Sequence, residues 1–302
     1  MPHPFGEILR TPDERFENLP GWTFAPNYIE DLPGYEGMRL HYVDQGPKDA
    51  EVTFLCLHGE PSWSYLYRKM APVFLAARHR VVAPDWFGFG RSDKPVDDDV
   101  YTFDFHRGTL TAFFERMALT NVCLVVQDWG GLLGLTIPKD YPQITRMIVM
   151  NTGIGVGVSP GEGFNAWKNY VANAPVLKVG EIMKRGTPIL SDAEVAAYDA
   201  PFPDETYKAG VRRFPALVPV SPDMAGVEHG RAAVDFFRTQ WSGESFMAIG
   251  EQDPVLGPPA MERLHAIIRN CPEPMRIADG GHFLQEWGAP IAEAALTTFK
   301  LN

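Results

Sequence analysis

A chain of 302 residues, 45% hydrophobic and 22% charged, has the balance of an ordinary globular protein, and length alone admits one large domain or two modest ones. Its net charge of −11 argues against nucleic acid and anionic membranes as partners, because both need basic patches. Cys56, Cys123 and Cys271 are odd in number and lack metal-ligand spacing, no apolar run nears the ~18 residues of a membrane span, and no secretory leader is apparent, so a cytoplasmic protein is expected.

In chain order, the first buried-strand pattern is VTFLCLHG, followed by a helix-like stretch from Trp63 to Ala77. HRVVAPDW is the next strand, then a helix over Phe103 to Leu119, then NVCLVVQD and RMIVMNTG. After a long interruption come SFMAIGEQD, a helix over Pro259 to Asn270, and PMRIADGG. Alternation of strand and helix predicts an α/β fold with a mostly parallel sheet flanked by helices. Strands that are apolar along their whole length fit burial on both faces.

The interruption opens with GIGVGVSPGEG and continues with NAWKNYVA, SDAEVAAYDA and DETYKAGVRRF, helical pieces separated by proline. It reads as a helical cap at 152–230, inserted into a core formed by 1–151 and 231–302. Asp97 to Asp99 superficially resembles a metal cluster, but a bare acidic run is more often a solvated loop. No P-loop, zinc spacing or pyridoxal-binding lysine context occurs, so neither cofactor nor metal is expected.

Working residues of open α/β sheets sit just beyond the carboxyl ends of the strands. VTFLCL is followed there by His58, Gly59, Glu60 and Pro61; VCLVVQ by Asp128; RMIVM by Asn151; SFMAIG by Asp253; PMRIAD by His282. A carboxylate, a second carboxylate and a histidine thus emerge on one edge. That order resembles the α/β-hydrolase family, whose nucleophile occupies a strand-to-helix elbow G-x-S-x-G and is followed by an acid and a histidine. Here the elbow is Val126-Gln127-Asp128-Trp129-Gly130. Valine in the first glycine position is a source of strain, and aspartate in the serine position changes the chemistry.

Aspartate, with an ordinary pKa of ~3.9, is already an anion at neutral pH and can displace a leaving group from an sp³ carbon. The resulting ester needs a base to deprotonate water. His282 suits that role, with Asp253 fixing its tautomer, and the backbone N–H groups of Glu60 and Trp129 form the oxyanion hole implied by the family. An indole N–H is a donor with neither acceptor nor charge, so Trp129 can hold a departing halide.

Taken together, HGEPSWSYLYRKM, APDWFGFGRSDKP, VVQDWGG, GFNAWK, FMAIGEQDPVLGP and GGHFLQE resemble the haloalkane dehalogenases, in the branch with an Asp-His-Asp triad and two tryptophan halide donors. The resemblance covers most of the chain. It implies a second halide donor at Trp167, a small pocket lined by Phe164, Leu132, Phe214, Pro215, Val218, Val255 and Leu256, and short uncharged haloalkanes as substrates. Water and halide complete the list of small-molecule partners, and a monomer is expected. Asn151 stands where another branch carries its acid, and Glu60 where that branch carries a halide-binding asparagine.

Singly, each of these residues has a bland reading: an aspartate after a strand is commonly a helix cap, and a tryptophan is commonly core. Their joint order and spacing favour catalysis. The other seven histidines read as structural, with His58 bracing its loop, and Trp63, Trp86, Trp241 and Trp287 read as packing. An epoxide hydrolase shares fold, aspartate and histidine but needs acidic donors, for which Tyr170, Tyr198 and Tyr207 are available. A fluoroacetate dehalogenase calls for arginine where Trp129 stands. A non-catalytic ligand-binding member of the fold fits poorly with Asp128, Asp253 and His282 all intact.

Overall fold

The computed structural model describes residues 3–302. The six strand runs read from the sequence are β4 (Thr53–Leu57), β5 (Arg80–Pro84), β7 (Val122–Gln127), β8 (Ile144–Met150), β9 (Glu244–Gly250) and β10 (Met275–Ile277). Every residue of β4 and β7 is buried, as their unbroken apolar runs require. Two further strands, β2 (Asn27–Ile29) and β3 (Leu40–Gln45), complete an eight-stranded sheet in the order β10-β9-β8-β7-β4-β5-β3-β2. Pairing is parallel from β10 to β5, and antiparallel for β5 with β3 and β3 with β2. β1 (Ile8–Leu9) and β6 (Lys94–Pro95) form a separate antiparallel pair.

The helices around the sheet begin with a 3-10 segment at Ser64–Lys69 that gives way to α1 (Ala71–Ala76). The expected helix over 63–77 divides there because Pro72 has no N–H to continue an α-helical ladder and sits in the first turn of the new helix instead. α2 (Phe103–Arg116) is capped by the Thr102 hydroxyl, and α3 (Trp129–Gly134) leaves the elbow. Between β8 and β9 lie only helices: α4 (Glu162–Asn173), α5 (Val179–Gly186), α6 (Asp192–Asp199), α7 (Ala209–Leu217) and α8 (Val227–Thr239). The boundary expected after residue 230 falls inside α8, which runs on toward β9. α9 (Pro258–His265) and α10 (Gly288–Phe299) finish the chain. Asp97 caps its own 3-10 turn, while Asp98 and Asp99 pair with Arg212 and Arg213 of α7. Among the described residues no helix is long and apolar enough to cross a membrane.

A buried charge cluster ties α6 to the sheet-bearing part of the molecule. Both arms of the Arg68 guanidinium reach Glu286, at 2.6 and 2.7 Å, and Glu194 of α6 takes a third contact at 2.6 Å. Tyr198 of the same helix donates to Glu286. Burial pushes the Glu194 carboxyl up, but hydrogen bonds from Arg68 and Ser191 outweigh it and bring it down to about 2. A depressed carboxylate stabilises the fold above its unfolded pKa of ~4.3 and loses that contribution as pH falls through the folded value. Glu194→Gln should therefore cost about 1–2 kcal/mol at pH 7. The deficit should shrink as pH is lowered toward 2, measured by denaturant melts of both proteins. A deficit that does not change with pH would show that Glu194 stabilises by packing alone.

Candidate active site

Asp128 leaves β7 with φ +50° and ψ −124°, a conformation costly for any residue but glycine. Hydrogen bonds hold it: its N–H donates to Asn151 O at 3.0 Å, and the Thr152 hydroxyl donates to its carbonyl at 2.7 Å. The strain expected at Val126 does not arise at that residue. Val126 lies in the strand with its side chain in the core, and Gly134 supplies the missing space from the opposite side, where a Cβ would sit 3.0 Å from Val126 Cγ1. Gly130 is irreplaceable for a different reason, since a Cβ there would lie 1.9 Å from Leu57 O.

The expected triad residues meet. His282 Nδ1 lies 2.7 Å from Asp253 Oδ2, and His282 Nε2 lies 3.5 Å from Asp128 Oδ2. Burial pulls the His282 imidazole down, but Asp253 and Asp128 outweigh it and raise it to about 10. Burial alone would raise Asp253, yet His282 and the backbone N–H groups of Val255 and Leu256 bring it below the ordinary carboxylate value. The Glu60 N–H donates to Asp128 Oδ1 at 2.8 Å, and Trp129 is the first residue of α3. His58 braces this loop as expected: Trp86 N–H donates to its Nε2 at 3.0 Å, which leaves Nδ1 to donate to Gly59 O at 2.9 Å.

Two positioning residues were not foreseen in those roles. Asn151 donates to Asp253 Oδ2 at 3.0 Å and to Gly281 O at 3.3 Å, joining the acid loop to the histidine loop. Gln127 donates to His282 O at 3.0 Å. The signal for both was their place at the ends of adjacent strands.

Asp128, Asp253 and His282 face a cavity of about 440 Å³. Of the pocket residues expected, Leu132, Phe164, Pro215, Val218, Val255 and Leu256 line it, together with Glu60, Asp128, Trp129 and Trp167. Phe214 does not. It is fully buried behind Trp129, ring centroids 4.4 Å apart, where it supports the indole. Ile154, Ile182 and Phe283 line the wall without having been anticipated, because nothing in their local pattern separates cavity from core. None of Tyr170, Tyr198 and Tyr207 reaches the cavity, and Tyr198 is spent on Glu286. Arg185 is the one arginine or lysine on the wall among the described residues, exposed and lying 5.3 Å over the Tyr170 ring.

Trp63, Trp86, Trp241 and Trp287 each donate their indole N–H to a protein acceptor. Among the described residues Trp129 donates to none, although only 3% exposed.

The model of the α/β-hydrolase fold matches residues 52–289. A haloalkane dehalogenase from Psychrobacter cryohalolentis is 44% identical over 93% of this chain and 93% of its own length. One from Mycobacterium marinum is 40% identical over 96% and 99%. The chain belongs to the haloalkane dehalogenases. Among solved structures, the haloalkane dehalogenase from Paraglaciecola agarilytica NO2 superimposes with a TM-score of 0.96 at 51% identity, covering 98% of this dehalogenase and all of that chain. That neighbour is described as tetrameric, so the monomer expected from sequence has no support from it.

Proposed function

We propose that this enzyme hydrolyses short, uncharged haloalkanes to alcohol, halide and a proton through a covalent ester on Asp128. The observation that carries the reading is the line Asp253–His282–Asp128 at 2.7 and 3.5 Å, facing an apolar cavity whose Trp129 N–H has no acceptor among the described residues. Asp128 attacks the halogen-bearing carbon, and the bonding pair leaves with the halide toward Trp129 and Trp167. Forming the ester removes the Asp128 charge, one of the two that hold the imidazolium. His282 then sheds its proton and serves as base for the water that attacks the ester carbonyl, while Asp253 balances the imidazolium that re-forms. The N–H groups of Glu60 and Trp129 receive the oxyanion, and the alcohol departs as Asp128 is regenerated.

Halo-acids should be poor substrates, because their carboxylate would lose its water beside Asp128, where the only close cation, the His282 imidazolium, is already engaged by Asp128 and Asp253. Halide release from 1,2-dibromoethane and from chloroacetate tests this directly. Turnover of dibromoethane with little or none of chloroacetate is expected, and the reverse order would overturn the reading. An epoxide hydrolase finds no support in the cavity wall, where no tyrosine stands among the described residues to supply the donors that reaction needs. We assign the core to 1–151 and 231–302 and the cap to 152–230. A cytoplasmic setting is supported by three free cysteines, two of them buried in strands. Sedimentation decides between a monomer and an assembly like that of the Paraglaciecola neighbour.

A further inference from the structure

Glu60 carries an unexplained side chain. Its backbone N–H is already committed to Asp128, yet the residue lines the same cavity with a buried carboxyl. The residue is 4% exposed, and among the described residues its Oε1 meets no hydrogen-bond partner. Trp167, the second indole of the cavity wall, lies beside it. An acid of this kind, buried in an apolar wall beside a second carboxylate, is costly to retain unless it meets something there.

We propose that the Glu60 side chain is a third hydrogen-bond donor to the leaving halide, working beside Trp129 and Trp167. The inference rests on the halide-leaving reading given above. A carboxyl can donate only if it keeps its proton. Burial, and after it the charge of Asp128, raise Glu60 well above the ordinary carboxylate value, against the smaller opposing influence of His282. A neutral acid also suits Trp167: its C=O can accept from the indole N–H while its O–H remains free for the ligand. When halide arrives, the indole turns from that carbonyl to the anion, and three donors surround it. No proton is transferred in this step, so the charge balance of the displacement is unchanged.

Glutamine keeps one acceptor and one donor at this position but cannot ionise, whereas methionine fills the space with neither, and both keep the backbone N–H. Bromide binding, read by indole fluorescence of the intact chain, should weaken about tenfold or more in Glu60→Met and clearly less in Glu60→Gln. Wild-type affinity should fall as pH rises for two reasons, because His282 loses its charge and Glu60 gains one. Glu60→Gln removes only the second, so the gap between the two curves should change steadily with pH. Infrared spectra should show the C=O stretch of a protonated carboxylic acid in the wild type at neutral pH, absent from Glu60→Gln. That measurement stands even if Glu60→Met fails to fold. Equal losses in Glu60→Gln and Glu60→Met, or no protonated-acid band, would overturn the proposal. If both variants bind bromide like the wild type while Trp129→Phe loses it, the halide pocket stands and the Glu60 donor falls. If Trp129→Phe also binds normally, the pocket is misplaced and the proposal falls with it.

Discussion

His282→Gln should release about one halide per enzyme and then stall. In the proposed mechanism the histidine takes no part in carbon–halogen cleavage, which needs only the Asp128 carboxylate, lying 3.5 Å from the imidazole. Ester hydrolysis loses its base, and steady turnover should fall by on the order of 10⁴-fold. Mass spectrometry should find the peptide carrying Asp128 heavier by the substrate's alkyl group. Asp128→Ala should show no burst. Asp253→Asn should resemble His282→Gln more weakly, because the imidazolium loses its compensating charge while the amide oxygen can still accept from the Val255 N–H and Asn151 still bridges Gly250 O and Gly281 O. Steady wild-type turnover by His282→Gln would remove the histidine from its role, and the same result for Asp253→Asn would remove the acid.

Trp129→Phe and Trp167→Phe should each slow halide displacement about tenfold to a hundredfold. A hydrogen bond from a neutral donor to a charged acceptor is worth roughly 1.5–3 kcal/mol, and about 1.4 kcal/mol is a factor of ten. Phenylalanine keeps a ring against Phe214, 4.4 Å from the Trp129 indole, so the change isolates the donor from the packing. Chlorinated substrates should suffer more than brominated ones, since chloride is the poorer leaving group and depends more on stabilisation. Bromide affinity should fall alongside the rate. Trp167 has the sharper test, because its ring also stacks on Tyr170 at 5.8 Å. Normal bromide binding and normal turnover of chloroalkanes by Trp167→Phe would leave it a packing residue of α4.

The elements legible in the sequence are those whose physics is local. β4 and β7 are apolar at all but one end position because a central parallel strand is buried on both faces, and composition alone reports that. Asp128, Asp253 and His282 were legible because each comes within a few residues of a strand's end, and the carboxyl ends of parallel strands share one edge. β2 and β3 escaped notice: one has three residues, and the other mixes His41, Asp44 and Gln45 with its apolar positions, as an antiparallel margin permits. Hydrophobicity marked Phe214 and Leu132 alike, but only tertiary packing puts one behind Trp129 and the other on the cavity wall. The Arg68–Glu286 pair joins residues 218 apart, a distance over which no periodicity carries information. Glu60 marks the limit most clearly. Its place in HGEP was readable, and so was the duty of its backbone, but the state of its carboxyl depends on its burial and on the charge of Asp128 beside it. A sequence orders residues along a line, whereas desolvation is a property of everything that surrounds a group in space.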